Sequence, residues 1–147
     1  MNEARQHPDD NASVDALHRR ALVVDDNADN AESLAMLMRL HGDDVRTAHN
    51  GVDALEIGEC FQPQIVLLDI GMPRMNGYET CRALRERTWG RTAIVIAQTG
   101  WGQTEDRQRA LQAGFDAHLV KPIEFATLTE LLATLDAERV EGGSEGA

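Results

Sequence analysis

The run Gln64-Ile65-Val66-Leu67-Leu68, closed by Asp69 and followed by Ile70-Gly71-Met72-Pro73, decides how the chain folds. Four consecutive apolar residues, two of them β-branched, are too short a stretch for a helix and too apolar for a sheet with one wet face. They read as a central strand covered by helices on both sides, with Pro63 marking its start. Two further runs share this character, Ala21-Leu22-Val23-Val24 and Ala93-Ile94-Val95-Ile96-Ala97. Residues 44–48 and the run Ala117-His118-Leu119-Val120 are more mixed and bring the set to five.

Segments of helical period separate these runs. Apolar residues recur at Ala31, Leu34, Ala35, Leu37 and Met38, then at Val52, Leu55 and Ile57, then at Tyr78, Cys81 and Leu84. Ala110 and Leu111 mark a fourth helix, and Leu128, Leu131, Leu132 and Leu135 a fifth. Gly42, Gly90 and Gly114 fall where helices should stop. The alternation predicts an α/β fold, a doubly wound, five-stranded parallel sheet that binds its ligands at the carboxyl ends of the strands.

A length of 147 residues with 42% hydrophobic content suits one domain. The formal charge of -11 argues against a nucleic-acid surface, which needs clustered Lys and Arg to displace counterions. No stretch is long and apolar enough to cross a bilayer, and the N-terminus lacks the apolar core of a secretory signal, so the expected location is cytoplasmic, away from membranes. Residues 1–18 are polar and read as a flexible tail; residues 139–147, with three glycines in the last seven, read as a disordered one. Cys60 and Cys81 fit no metal-ligand spacing and read as two reduced thiols.

What chemistry there is gathers at the strand ends. The first run ends in Asp25-Asp26, the third in Asp69, the fourth in Thr99 after Gln98, and the fifth in Lys121-Pro122. Three carboxylates brought to one sheet edge repel one another, and a hard divalent cation, Mg2+ best of all, is their natural counterion. Lys121 is the single lysine among 14 basic residues, a compact ammonium where the chain otherwise uses arginine. Singly, each residue has a plainer reading: Asp25 and Asp26 as helix caps, Asp69 as a strand end, Thr99 as a turn residue. Five such coincidences on one edge favour a site.

Four segments then carry a resemblance: LVVDDN at 22–27, IVLLDIGMPRMNGYE at 65–79, IAQTGWG at 96–102 and AGFDAHLVKPI at 113–123. Their order, with steps of 43, 30 and 22 residues from Asp26 to Asp69 to Thr99 to Lys121, resembles the receiver domain of two-component response regulators over about residues 19–138. The stretch from Thr99 to Pro122 is similar to receivers joined to the C-termini of hybrid histidine kinases. The resemblance implies a flavodoxin-like strand order 2-1-3-4-5. It also implies transfer of a phosphoryl group from a histidine kinase or histidine phosphotransfer protein to Asp69, followed by hydrolysis of the acyl phosphate. By position, Asp26, Asp69 and the Gly71 backbone carbonyl would ligate Mg2+, with Asp25 acting through water. Thr99 and Lys121 would bind phosphoryl oxygens. Thr99 would also act as a switch, drawing residues 99–103 inward and altering the face formed by the fourth helix, fifth strand and fifth helix for a downstream protein.

The chain departs from the family pattern at His118, where an aromatic residue is usual. Its ring either follows the threonine inward or stays an exposed strand-end side chain. Trp101 either shields the acyl phosphate or anchors a partner. Such a module is expected to be no enzyme toward other substrates, only an autocatalytic phosphoacceptor that dephosphorylates itself, and a stand-alone one without an output domain. The alternatives are an aspartyl-phosphate-forming phosphatase and a binding module independent of phosphorylation. A haloacid dehalogenase-type phosphatase would need an acid two residues after the nucleophile, where this chain has Gly71.

Overall fold

The computed structural model describes residues 19–100 and 107–146. Five strands and five helices alternate along them: β1 (Arg20–Val24), α1 (Ala28–Leu40), β2 (Asp44–Ala48), α2 (Gly51–Phe61), β3 (Ile65–Asp69), α3 (Gly77–Arg85), β4 (Ile94–Thr99), α4 (Arg107–Ala113), β5 (Ala117–Val120) and α5 (Phe125–Gly146). All pairings are parallel, and the sheet runs β2-β1-β3-β4-β5. Every strand expected from the sequence is present, within a residue or two. Strand β4 runs on through Gln98 and Thr99, and the sheet reverses its winding between β1 and β3, where the ends of neighbouring strands open a crevice.

Strands β3 and β4 are buried at every position, which is why their sequences do not alternate. Two apolar layers result. Leu22, Val24, Val66, Leu68 and Val95 face α2, α3 and α4 together with Tyr78, Cys81, Leu84 and Trp89. Val23, Ile65, Leu67, Ile94 and Ile96 face α1 and α5 with Leu34, Met38 and Leu128. Three asparagines start the helices: Asn27, Asn50 and Asn76 each accept the N–H three residues on, and Glu79 returns the bond to Asn76 to complete a capping box. Since Asn27 caps α1, Asp25 and Asp26 are not needed for that task.

Some expectations from helical spacing fail. Leu37, Val52 and Leu111 are exposed, at 41%, 57% and 72%. The buried stripe of α1 is Ala31, Leu34, Ala35 and Met38; that of α2 is Gly51, Ala54, Gly58 and Phe61. Gly42 and Gly114 do close helices, with φ of 101° and 107°. Gly90 does not: it lies beyond α3, where a Cβ would stand 1.9 Å from the Leu84 carbonyl oxygen, so it permits close packing rather than a stop. At the C-terminus, α5 extends to Gly146 where a disordered tail from residue 139 was expected. Adding residues to a formed helix costs only about 1 kcal/mol per glycine, far less than nucleating one. The N-terminal segment 1–18 lies outside the described residues. Among those described, no helix is long and apolar enough to cross a membrane.

Candidate functional site: an acidic cluster bridged by lysine

The carboxyl ends of β1, β3 and β5 meet as the sequence predicts. Asp25 extends the ladder just past β1, its N–H donating to the Ala48 carbonyl at 3.0 Å. Its side chain is buried, with Oδ1 accepting the Asn27 N–H at 2.9 Å. Asp69 ends β3, also buried, with Oδ1 accepting the Gly71 N–H at 2.9 Å. Asp26 is exposed at the mouth. One oxygen from each of the three lies within 4.8 Å of the others, and among the described residues they are the only group of acidic, His or Cys side chains so placed. An all-oxygen donor set on a partly open rim fits a hard divalent cation that keeps some of its water.

Lys121 sits among them. Its Nζ is 2.8 Å from Asp25 Oδ2 and 3.1 Å from Asp69 Oδ2. Burial opposes its charge, but the hydrogen bonds it donates to Asp25 and Asp69 outweigh that and hold its pKa above the ordinary lysine value. Burial pushes the Asp69 carboxyl upward, and Asp25 adds to the effect. The Gly71 N–H and Lys121 counter it without cancelling it. One ammonium among three carboxylates leaves the cluster negative. The sequence shows no basic residue between these acids and offers Lys121 a carboxylate or a phosphoryl oxygen as partner; in the structure the ammonium holds the two buried carboxylates together. Asp25 is likewise directly engaged, by Asn27 and Lys121.

Thr99 is buried at the end of β4, and its hydroxyl donates to the Leu119 carbonyl at 3.4 Å. Its own carbonyl accepts the Lys121 N–H at 2.7 Å, so the threonine and the lysine share a backbone link. His118 is half-buried on β5, in register with Ala97, while Thr99 pairs with Val120. Alternation along the strands puts His118 and Thr99 on the same face. Trp101 and the loop through Gln103 lie outside the described residues. Gly71 is exposed in the loop after Asp69. That loop is pinned by Gly77, whose missing Cβ would stand 2.5 Å from Ile70 Cα.

Gln98 was passed over in the sequence, named only as the residue before Thr99. It is 2% exposed, and its Nε2 donates to the Val24 carbonyl at 3.4 Å. A polar residue closing an otherwise apolar run of β4 was the signal.

The chain is similar to known proteins in sequence and fold. The family model for the response regulator receiver domain matches residues 21–133. Response regulator MprA of Mycobacterium ulcerans (strain Agy99) is 39% identical over 118 residues, covering 80% of this chain and 49% of that protein. Sensor histidine kinase RcsC of Escherichia coli (strain K12) is 40% identical over 119 residues, covering 81% of this chain but 12% of the kinase. Among solved structures, the receiver domain of sensor histidine kinase PA1611 from Pseudomonas aeruginosa PAO1, with a magnesium ion coordinated in its active-site cleft, superposes with a TM-score of 0.70 at 30% identity, covering 78% of this chain and 94% of that one. A doubly wound sheet with an acid cluster and a lysine at its carboxyl edge defines a receiver fold. The chain belongs to the response regulator receiver family.

Proposed function

We propose that the chain accepts a phosphoryl group on Asp69 from the phosphohistidine of a sensor histidine kinase or histidine phosphotransfer protein, and so works as a cytoplasmic, bacterial-type phosphorelay module. The observation that carries this reading is Lys121 Nζ lying 2.8 and 3.1 Å from two carboxylates of a three-carboxylate cluster. A carboxylate oxygen of Asp69 attacks phosphorus in line, the P–N bond breaks, and its electron pair stays on the imidazole nitrogen. Water later cleaves the acyl phosphate, returning the carboxylate and inorganic phosphate. The protein is thus a phosphoacceptor with self-dephosphorylation rather than an enzyme with a separate substrate.

Asp26, Asp69 and the Gly71 carbonyl would hold Mg2+, with Asp25 acting through water. Bound there, the ion would neutralise charge on the carboxylates and phosphoryl oxygens. Lys121 then turns its ammonium from Asp69 to a phosphoryl oxygen, and the Thr99 hydroxyl leaves Leu119 for another. The backbone bond from Lys121 to Thr99 makes these movements one event. Their output is the α4-β5-α5 face, which presents Leu111 and Val120, 72% and 48% exposed, to a downstream protein. Gly71, lacking a side chain, supplies no acid for the phosphatase alternative.

The test is intact-mass spectrometry after incubation with acetyl phosphate and Mg2+. One phosphoryl group should be added to wild type, and none to Asp69→Asn or to wild type in excess EDTA. Equal labelling in all three would refute the assignment.

A further inference from the structure

Gln98 has a place in the fold that its single hydrogen bond does not explain. Lys121 follows β5, while its partners end β3 and β1; between β5 and β3 lies β4. The lysine stem must therefore cross the end of β4. Gln98 pairs in register with Asp69 on one side and Leu119 on the other, which puts it on the same sheet face as Asp69, the face of Ile94 and Ile96. Its carboxamide runs the same way as the lysine, reaching over β3 to the Val24 carbonyl of β1.

The two side chains share a cavity. A space of about 420 Å³ is lined by Gln98, Lys121, Asp25, Ser33, Leu37 and Ile123, among others. Two protons of the Lys121 ammonium are taken by Asp25 and Asp69. The third has no protein acceptor among the described residues, and neither does the Gln98 carboxamide oxygen have a donor. Burying a carboxamide for one long bond costs stability that an aliphatic side chain of equal length would not. The cavity is roomy enough for water to complete such a link.

We propose that Gln98 is a positioning residue for Lys121: a water in the shared cavity accepts the third ammonium proton and donates to the Gln98 carboxamide oxygen, steering the lysine between its resting carboxylates and a phosphoryl oxygen on Asp69. The proposal rests on the phosphoacceptor reading for its purpose, but the contact itself can be read without it. Because Lys121 is the sole lysine, labelling with 13C,15N-lysine gives one side-chain signal.

The experiment compares wild type, Gln98→Met and Gln98→Glu by three measurements: the Lys121 Nζ shift and relaxation in metal-free protein, the affinity for beryllofluoride with Mg2+, and the urea unfolding midpoint. Gln98→Met should keep or raise the midpoint, shift and mobilise the lysine signal, and weaken beryllofluoride binding roughly tenfold, the size of a lost hydrogen bond to a charged group. Gln98→Glu restores an acceptor and should restore the restrained lysine signal. An unchanged lysine signal in Gln98→Met overturns the proposal. So does a fall in its unfolding midpoint that accounts for the other losses, since the role is then structural. If wild type itself fails to bind beryllofluoride, the phosphoacceptor reading fails, while the metal-free lysine signal still decides whether Gln98 holds Lys121.

Discussion

Lys121 holds two buried carboxylates at once, and this explains why one lysine stands in a chain that otherwise uses arginine. A guanidinium is planar and needs more room than the point between Asp25 Oδ2 and Asp69 Oδ2 provides. Lys121→Arg should therefore uncouple the module although the charge is kept. Thr99→Ala removes one donor to a phosphoryl oxygen, worth roughly 1.5 to 3 kcal/mol, so phosphorylation should persist with a weaker structural response. Amide shift changes over residues 99–124 on adding beryllofluoride check both; equal responses in wild type and the two variants would exclude these residues as the reading elements. The cysteines differ by environment. Cys60 is exposed, whereas burial pushes the Cys81 thiol up to about 11. Iodoacetamide at pH 8 should modify Cys60 alone in the folded protein and both after denaturation.

At the opposite end of the sheet, α3 is tied to the rest by Arg85. Its guanidinium donates to the carbonyls of Gly90, Ala93 and Gly114 and to Asp116 Oδ2, which also accepts the Val95 N–H. Arg85→Met would leave several half-buried acceptors without donors and should cost about 2 to 3 kcal/mol in urea unfolding, with Arg85→Lys recovering only part. A variant within about 0.5 kcal/mol of wild type would mean that water replaces the clamp. The clamp was invisible in the sequence, because its acceptors are backbone carbonyls set by tertiary folding. The strands were legible because β-branched apolar runs of five residues have few other uses. Helix faces were less so: Leu37, at about 100° from Met38, sits beside the buried stripe rather than in it, and spacing alone does not separate flank from core. The acidic cluster and its lysine were legible in Asp25, Asp26, Asp69 and Lys121, whose types are chemically conspicuous. The Lys121 bridge across β4 and the part of Gln98 were not, since both depend on which strands lie side by side.

Over the whole molecule, the cluster ties the stability of the fold to pH through two groups of opposite effect. Burial raises the Asp69 carboxyl above its ordinary value of 3.8. A carboxylate with a raised folded pKa destabilises the fold above that pKa, and the penalty disappears as pH falls toward the unfolded value. Asp69→Asn should thus be more stable than wild type near neutral pH, the gap narrowing as the pH approaches 4. Lys121 works the other way. Its raised pKa stabilises the fold below the ordinary lysine value of 10.5, and the contribution is lost as alkaline pH passes its folded value. Urea titrations across pH would contradict this account if Asp69→Asn were less stable at pH 7.

The central claim is that Asp69, and not Asp25 or Asp26, carries the phosphoryl group. The most direct measurement is peptide mapping after treating the phosphorylated protein with hydroxylamine, which converts an acyl phosphate to a hydroxamate on the residue that bore it. The account predicts the hydroxamate on Asp69 alone, and only in samples given both Mg2+ and phosphodonor. A hydroxamate on Asp25 or Asp26, or none on Asp69 in a sample whose intact mass shows phosphorylation, would contradict it.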